Sequence, residues 1–285
     1  MKTFSYTLFA LVAFAFNSIL CRLALGAETI DAASFTLIRL VSGAAALIAI
    51  SLFFDRKESK EKRGNWFSAF FLFTYAVCFS FAYINLTTGT GALILFGSVQ
   101  ATMIFVALLK GERPKILEWL GLIFALSGLI YLVFPGLSSP PILSSALMAT
   151  AGIAWGFYTL RGKGSTNPLA DTSGNFVRAV PMIVFVSLFF LSQIHLSSKG
   201  ILLAILSGAI TSGIGYSVWY AVLKSHTATR AAILQLAVPA LAGFGGVIFL
   251  AEVVSLRLVS ASVLILGGIS LAILGRKYGK SNEID

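Results

Sequence analysis

The sequence predicts an all-α integral membrane protein, with ten transmembrane helices arranged as two inverted five-helix repeats. Three observations lead there. Of 285 residues, 58% are apolar and 11% charged, and mean hydropathy is +0.92; a soluble domain carries about 25% charged residues. The chain divides into ten apolar runs, each near the roughly 20 residues of helix that cross a hydrocarbon core about 30 Å thick. It also matches itself at a shift of 139–140 residues, with the cations distributed oppositely around the two copies.

The first run, 4–25, follows Lys2 and ends in "LALGA", the pattern of a cleavable leader. It is read as a span instead, because it has a counterpart later in the chain. The second, 32–54, begins after "GAETID" and carries Arg39; the third, 66–86, follows the charged "DRKESKEKRGN". Turn residues in "TTGTG" and then "KGERPK" introduce the fourth, 89–109, and the fifth, 116–134. The sixth, 142–161, follows "PGLSSPP", and the seventh, 172–192, follows "RGKGSTNP" and carries Arg178. The eighth, 200–222, the ninth, 228–250, and the tenth, 256–275, are set off by "SQIHLSSK", "KSHTATR" and "AEVVSLR". No linker is long enough to hold a soluble domain.

The net charge of +10 would suggest nucleic acid in a soluble protein. Here the cations sit in short clusters between apolar runs, with no basic stripe interleaved with aromatics, so nucleic-acid binding is not expected. With the N-terminus inside, 16 Lys and Arg fall in cytoplasmic segments, among them Arg56, Lys57, Lys60, Lys62 and Arg63, against Arg22, Lys199 and Arg257 outside. This bias places both termini in the cytoplasm. Cys21 and Cys78 lie inside apolar runs at no metal or redox spacing, and read as small buried hydrophobes. No metal and no cofactor are expected.

The repeat is visible residue by residue. "FNSILCR" at 16–22 lies over "WGFYTLR" at 155–161, matching Arg22 with Arg161, and "SFTLIRL" lies over "SGNFVRA", matching Arg39 with Arg178. "TTGTGALILFGSVQ" lies over "TATRAAILQLAVPA", and Glu112 over Glu252. The halves are taken as residues 1–137 and 138–285. Five is odd, so the second half enters the membrane in the opposite sense, which the charge count requires independently. Inverted repeats of this kind place a substrate site between the halves near the midplane.

The aromatic with small neighbours in "GIAWGF", the arginines in runs two and seven, "AAILQLAVPALAGFGGVIFLAE" at 231–252 and the closing "LILGGISLAI" resemble the drug/metabolite transporter superfamily, EamA group. The resemblance covers nearly the whole chain. It implies a ten-helix transporter of amino acids or other small metabolites, often an exporter, with helices one, three, four, six, eight and nine around a central cavity. The halves depart from symmetry where Pro239 has Val99 as its partner.

All acidic residues lie in loops or near helix ends, and both histidines, His195 and His226, are in loops. A facilitator driven by the substrate gradient is therefore expected rather than a proton-coupled carrier, and an intramembrane enzyme is not expected, for want of clustered acids. Candidate substrate-binding residues are Asn17, Tyr83, Gln100, Trp155, Tyr158, Tyr216, Trp219 and Gln235. Rings and neutral amides suit a small, partly apolar zwitterion or a flat organic molecule, not a polyphosphate. Aromatics of this kind also serve the interfacial belt, and amides tie helices together.

Arg39 and Arg178 are intramembrane charges. A charge at mid-helix costs about 2.5–3.5 kcal/mol on insertion scales. Either each guanidinium caps carbonyls or snorkels to its near interface, with Asp171 beside Arg178, or the two attract a substrate carboxylate. The expected protein is a monomer or homodimer in a bacterial inner membrane, exporting amino acids or related metabolites. A lipophilic drug or amine exporter, or less readily a lipid-handling protein, is the alternative.

Overall fold

A computed structural model describes residues 2–54, 64–109, 116–134, 139–223, 225, 231, 234–235 and 237–281. The cation-rich segment 55–63, Glu112 and the expected start of the ninth run at 228–230 lie outside the described residues. Helices follow the apolar runs: α1 (Lys2–Leu25), α2 (Ala32–Phe54), α3 (Trp66–Tyr83), α4 (Thr88–Leu109), α5 (Ile116–Val133), α6 (Ile142–Gly162) and α7 (Pro168–Ser187). The last continues as a 3-10 segment, Leu188–Gln193. Then come α8 (Ser198–Leu223), α9 (Ala237–Leu250) and α10 (Leu256–Ser281).

Seven helical stretches are long and apolar enough to cross a membrane: Thr3–Leu25, Ala32–Phe53, Trp66–Tyr83, Thr88–Val106, Ile142–Gly162, Pro168–Gln193 and Ser198–Leu223. Shorter apolar helical stretches are Trp119–Leu132, Ala237–Leu250 and Leu256–Gly268. Large side chains such as Leu52, Phe53, Phe67, Leu109, Leu143 and Val253 face outward. The inner faces instead hold Asn17, Arg39, Gln100 and Gln235, together with many Ser and Thr. Apolar outside and partly polar inside is the distribution that lipid demands.

Helix starts are capped by side chains the sequence supplies. Asn65, Asn167 and Ser197 each accept the backbone N–H three residues on, capping α3, α7 and α8, and Asp31 does the same for α2 through Ser34 N. Two aspartates also tie distant loops. Asp31 Oδ2 accepts His195 N at 3.1 Å, before α8, while Asp171 Oδ1 accepts Gly64 N at 3.0 Å, before α3. Thr29 O accepts Ser197 N beside the first clamp, and Ile30 forms an isolated bridge with Leu196.

The helices pack out of sequence order. α1 lies against α8 and α9, α6 against α3 and α4, α2 against α7, and α5 runs along α10. Close approach is allowed by glycine at particular crossings. A Cβ at Gly208 would run into the Arg39 carbonyl and the Ser42 hydroxyl, so α2 and α8 touch backbone to backbone at the level of the buried arginine.

α8 is not a uniform helix. Its ends, Ser198–Leu206 and Gly215–Leu223, are α-helical, but Ser207–Ile214 is wound as a π-helix. That winding decides which side chains reach the interior.

Candidate functional site: a buried cationic cluster

Arg39 is 1% exposed. Its guanidinium donates from Nε to Ser212 Oγ at 2.9 Å, and from Nη2 to Tyr216 OH at 2.7 Å and to Tyr75 OH at 3.3 Å. It lies 5.3 Å from the centre of the Tyr75 ring and 5.0 Å from that of Phe79, within cation–π range. Its partners are neutral hydroxyls. Among the described residues, the ion pair is that of Arg22 with Glu252, and no carboxylate pairs with Arg39. Nη1 is buried and has no hydrogen-bond partner among them. An unmet buried donor costs about 1–3 kcal/mol, and more when charged.

Asn17, on α1, sits beside the arginine and organises the other groups. Its Nδ2 donates to Tyr75 OH at 3.1 Å and Tyr216 OH at 3.2 Å; its Oδ1 accepts from Ser207 at 2.7 Å, Thr211 at 3.2 Å and Ser212 at 3.4 Å. Tyr216 OH in turn donates to Tyr75 OH at 3.1 Å. The cluster is thus drawn from α1, α2, α3 and α8.

The π-helical segment explains how α8 contributes four of these residues. In an α-helix of about 3.6 residues per turn, positions 207 and 211 share a face, but 212 and 216 turn well away from it. A winding closed by i→i+5 bonds takes more than four residues per turn, which brings i, i+4, i+5 and i+9 round together. Ser207, Thr211, Ser212 and Tyr216 have that spacing. Sequence reasoning on α-helical periods found Tyr216 and missed the three hydroxyls. It also missed Tyr75, one ring in the aromatic-rich "FFLFTYAVCF". Its signal would have been the only phenol in those ten residues.

Aromatic rings form the adjoining wall. Trp155 lies 4.6 Å from Tyr216, 5.0 Å from Tyr75 and 5.5 Å from Phe14, centroid to centroid. Phe14 meets Trp219 edge-on at 5.5 Å. A cavity of about 10 Å³ remains among Phe14, Ser18, Tyr75, Phe79, Trp155 and Tyr216, about one water's room. A cavity of about 330 Å³ lies elsewhere, bounded by the α1–α2 loop, the end of α3 and the Leu188–Gln193 segment. It shares no residue with the cluster.

The other candidates fall into place around this centre. Trp155 Nε1 donates to Gln235 Oε1 at 3.4 Å, and the Tyr158 ring lies tilted between those of Trp155 and Tyr220. Gln100 is buried on α4. Tyr83 meets Phe79 edge-on at 4.7 Å; its hydroxyl donates to Thr88 O near the end of the bundle where α1 and α3 finish. Arg178 departs from Arg39 despite their matched positions. It is half-buried, donates from Nη1 to Gly174 O at 2.8 Å, and lies 5.9 Å from the Trp66 ring centre.

That same end is closed by a feature the sequence did not announce. Glu252 accepts Thr88 N at 2.9 and 2.8 Å and Thr88 Oγ1 at 3.1 Å, capping α4, and its Oε1 stands 3.5 Å from Arg22 Nε. Arg22 Nη1 donates to the carbonyls of Tyr83 and Ile84. One ion pair thus joins α1, the end of α3, the start of α4 and the segment after α9. At the opposite end Arg161, the counterpart of Arg22, donates to Ser68 Oγ and Asn65 Oδ1 at the start of α3.

The model of the EamA-like transporter family matches this chain twice, at residues 1–134 and 143–274. The chain belongs to the EamA-like transporter family. A protein of Pseudomonas aeruginosa described as uncharacterized is 46% identical over 280 residues, covering 98% of this chain and 97% of its own. An uncharacterized transporter of Bacillus subtilis is 29% identical over 269 residues, covering 90% and 89%, and one of Archaeoglobus fulgidus 27% over 209 residues, covering 71% and 74%. A crystal structure at 20% identity superposes with a TM-score of 0.69, covering 95% of this chain and 98% of that one; at that identity it speaks for the fold alone. This EamA-family chain is therefore a multi-pass membrane protein of a transporter family, with a lipid bilayer as its solvent and a small molecule as its cargo.

Proposed function

We propose that this EamA-family protein carries amino acids or related small metabolites outward across a bacterial inner membrane, by alternating access between residues 1–137 and 138–285. The halves are two inverted five-helix repeats, and both termini are cytoplasmic. The observation that carries the reading is the buried cluster itself: Asn17, Arg39 and Tyr75 come from the first half, Ser212 and Tyr216 from the second. A polar centre held jointly by two halves is where an inverted-repeat carrier binds its substrate.

Three further features support it. The family model matches each half separately. Helix packing is exchanged between halves, with α1 on α8 and α9 and α6 on α3 and α4. The clamps are exchanged likewise, since Asp31 of the first half holds the loop before α8 and Asp171 of the second holds the loop before α3. In this reading the Arg22–Glu252 pair closes the outer end.

Purified protein in liposomes tests the function directly. Offered a bacterial metabolite extract, proteoliposomes should accumulate particular solutes beyond empty liposomes, down their gradients. An imposed pH gradient should not concentrate them, because the sequence puts the acids and histidines between apolar runs or near their ends. Failure of every solute to enter sinks the carrier reading; pH-driven accumulation sinks the facilitator part of it.

A further inference from the structure

We infer that the substrate presents a carboxylate to Arg39 and that the site recognises no ammonium group. The inference rests on the carrier reading above and specifies which solutes that carrier takes. Three observations converge on it. The guanidinium is 1% exposed, its hydrogen-bond partners are the hydroxyls of Ser212, Tyr75 and Tyr216, and no acidic side chain pairs with it among the described residues. A positive charge sealed inside a membrane protein is costly unless an anion reaches it. A transported anion does so once in each cycle.

The second observation is a surplus of donors. Arg39 and the amide of Asn17 bring N–H groups, and Ser207, Thr211, Ser212, Tyr75 and Tyr216 bring O–H groups. The amide oxygen of Asn17 already receives three hydroxyls. Arg39 Nη1 is left buried without a partner. A carboxylate, with two acceptor oxygens and no donor, complements such a set and matches the guanidinium fork. An ammonium brings three more donors and a charge that Arg39 repels.

The third is the wall. Tyr75, Phe79 and Tyr216 surround the guanidinium and also line the small cavity that runs to Phe14 and Trp155. Opening that cavity gives the charged end of a ligand the arginine and its body the rings. Of the two cargo classes named above, this selects the related small metabolites over the amino acids themselves: small monocarboxylates with an apolar or aromatic body. This separates the carboxylate carrier from an amine exporter, for which the same rings would otherwise serve.

The test works on a mixture of solutes, so the cargo need not be identified beforehand. Proteoliposomes are offered three forms of one metabolite extract: untreated, with free carboxylates converted to primary amides, and with free amines acetylated. Uptake is read by mass spectrometry. The expected result is entry of carboxylate-bearing solutes from the untreated extract, loss of about tenfold or more after amidation, and retention after acetylation. Arg39→Gln should lower uptake of the same solutes to a similar degree, while Arg39→Lys, which keeps the charge without the fork, retains part of it. Uptake that survives amidation overturns the inference and leaves the carrier reading standing. Uptake abolished by acetylation overturns the claim that no ammonium is recognised. If nothing enters from any extract, the carrier reading fails and takes the inference with it.

Discussion

Tyr216 is where the hydrogen-bonded cluster and the aromatic wall meet. Its hydroxyl accepts from Arg39 at 2.7 Å and from Asn17 at 3.2 Å, and its ring lies 4.6 Å from Trp155. Tyr216→Phe keeps the ring and removes the hydroxyl. Hydrogen bonds within bilayer proteins are worth about 0.6 kcal/mol on average, so the fold should survive with a Tm within a few degrees of wild type. Transport should fall by about tenfold, since the guanidinium loses its shortest bond and its aim. Parallel thermal unfolding and proteoliposome uptake check this, and a large Tm loss with uptake intact would contradict it. Asn17, Tyr216 and Arg39 were legible as inward-facing polar residues because a polar group in an apolar run needs a partner inside the bundle. Ser207, Thr211 and Ser212 were not, because small hydroxyls are ordinary in membrane helices and serve equally as packing residues.

At the scale of the element, α8 carries most of the surprise. Ten apolar runs could be read from length and composition, but nothing in "SGAITSGI" distinguishes π from α winding. The π-wound segment packs closely against α2, through contacts that sequence periodicity does not encode. Gly208 is the point of contact. Gly208→Ala would place a methyl on the Arg39 carbonyl and the Ser42 hydroxyl, and should destabilise the protein by about 1–3 kcal/mol. Gly164→Ala has nothing within 4 Å and should be near neutral. Thermal melts of the two variants measure the contrast; equal losses would mean that α2 and α8 are not in backbone contact.

The Arg22–Glu252 pair was invisible in the sequence for a different reason: it joins residues 230 positions apart, through a loop glutamate that reads as an ordinary solvated charge. Glu252→Gln retains an acceptor for Thr88 N but loses the attraction to Arg22. A partly buried pair of this kind is worth about 1 kcal/mol, so this end should open about fivefold more often. Reaction of a cysteine placed at Ser18 with an impermeant maleimide reports it. An unchanged rate would show that the pair does not hold this end shut.

For the whole molecule, the ordering of apolar runs, the family and the inward polar residues were readable from the chain. How the helices exchange partners was not, because packing is set by complementary surfaces far apart in sequence. The inverted arrangement requires the segment 55–63 and the C-terminal tail to lie on one side, as their shared cations demand. Single cysteines in each should react with impermeant reagent from the cytoplasmic side alone; opposite-side labelling would end the repeat argument.

The most direct test of alternating access at the Arg39 cluster is a cysteine at Ser212, which touches the guanidinium at 2.9 Å. With Cys21 and Cys78 replaced by alanine and uptake verified, an impermeant thiol reagent is applied from one side of the membrane and, separately, from the other. Alternating access predicts labelling from both sides, each slowed by a transported solute. Labelling from one side only, or from neither, in a protein that still transports would contradict it.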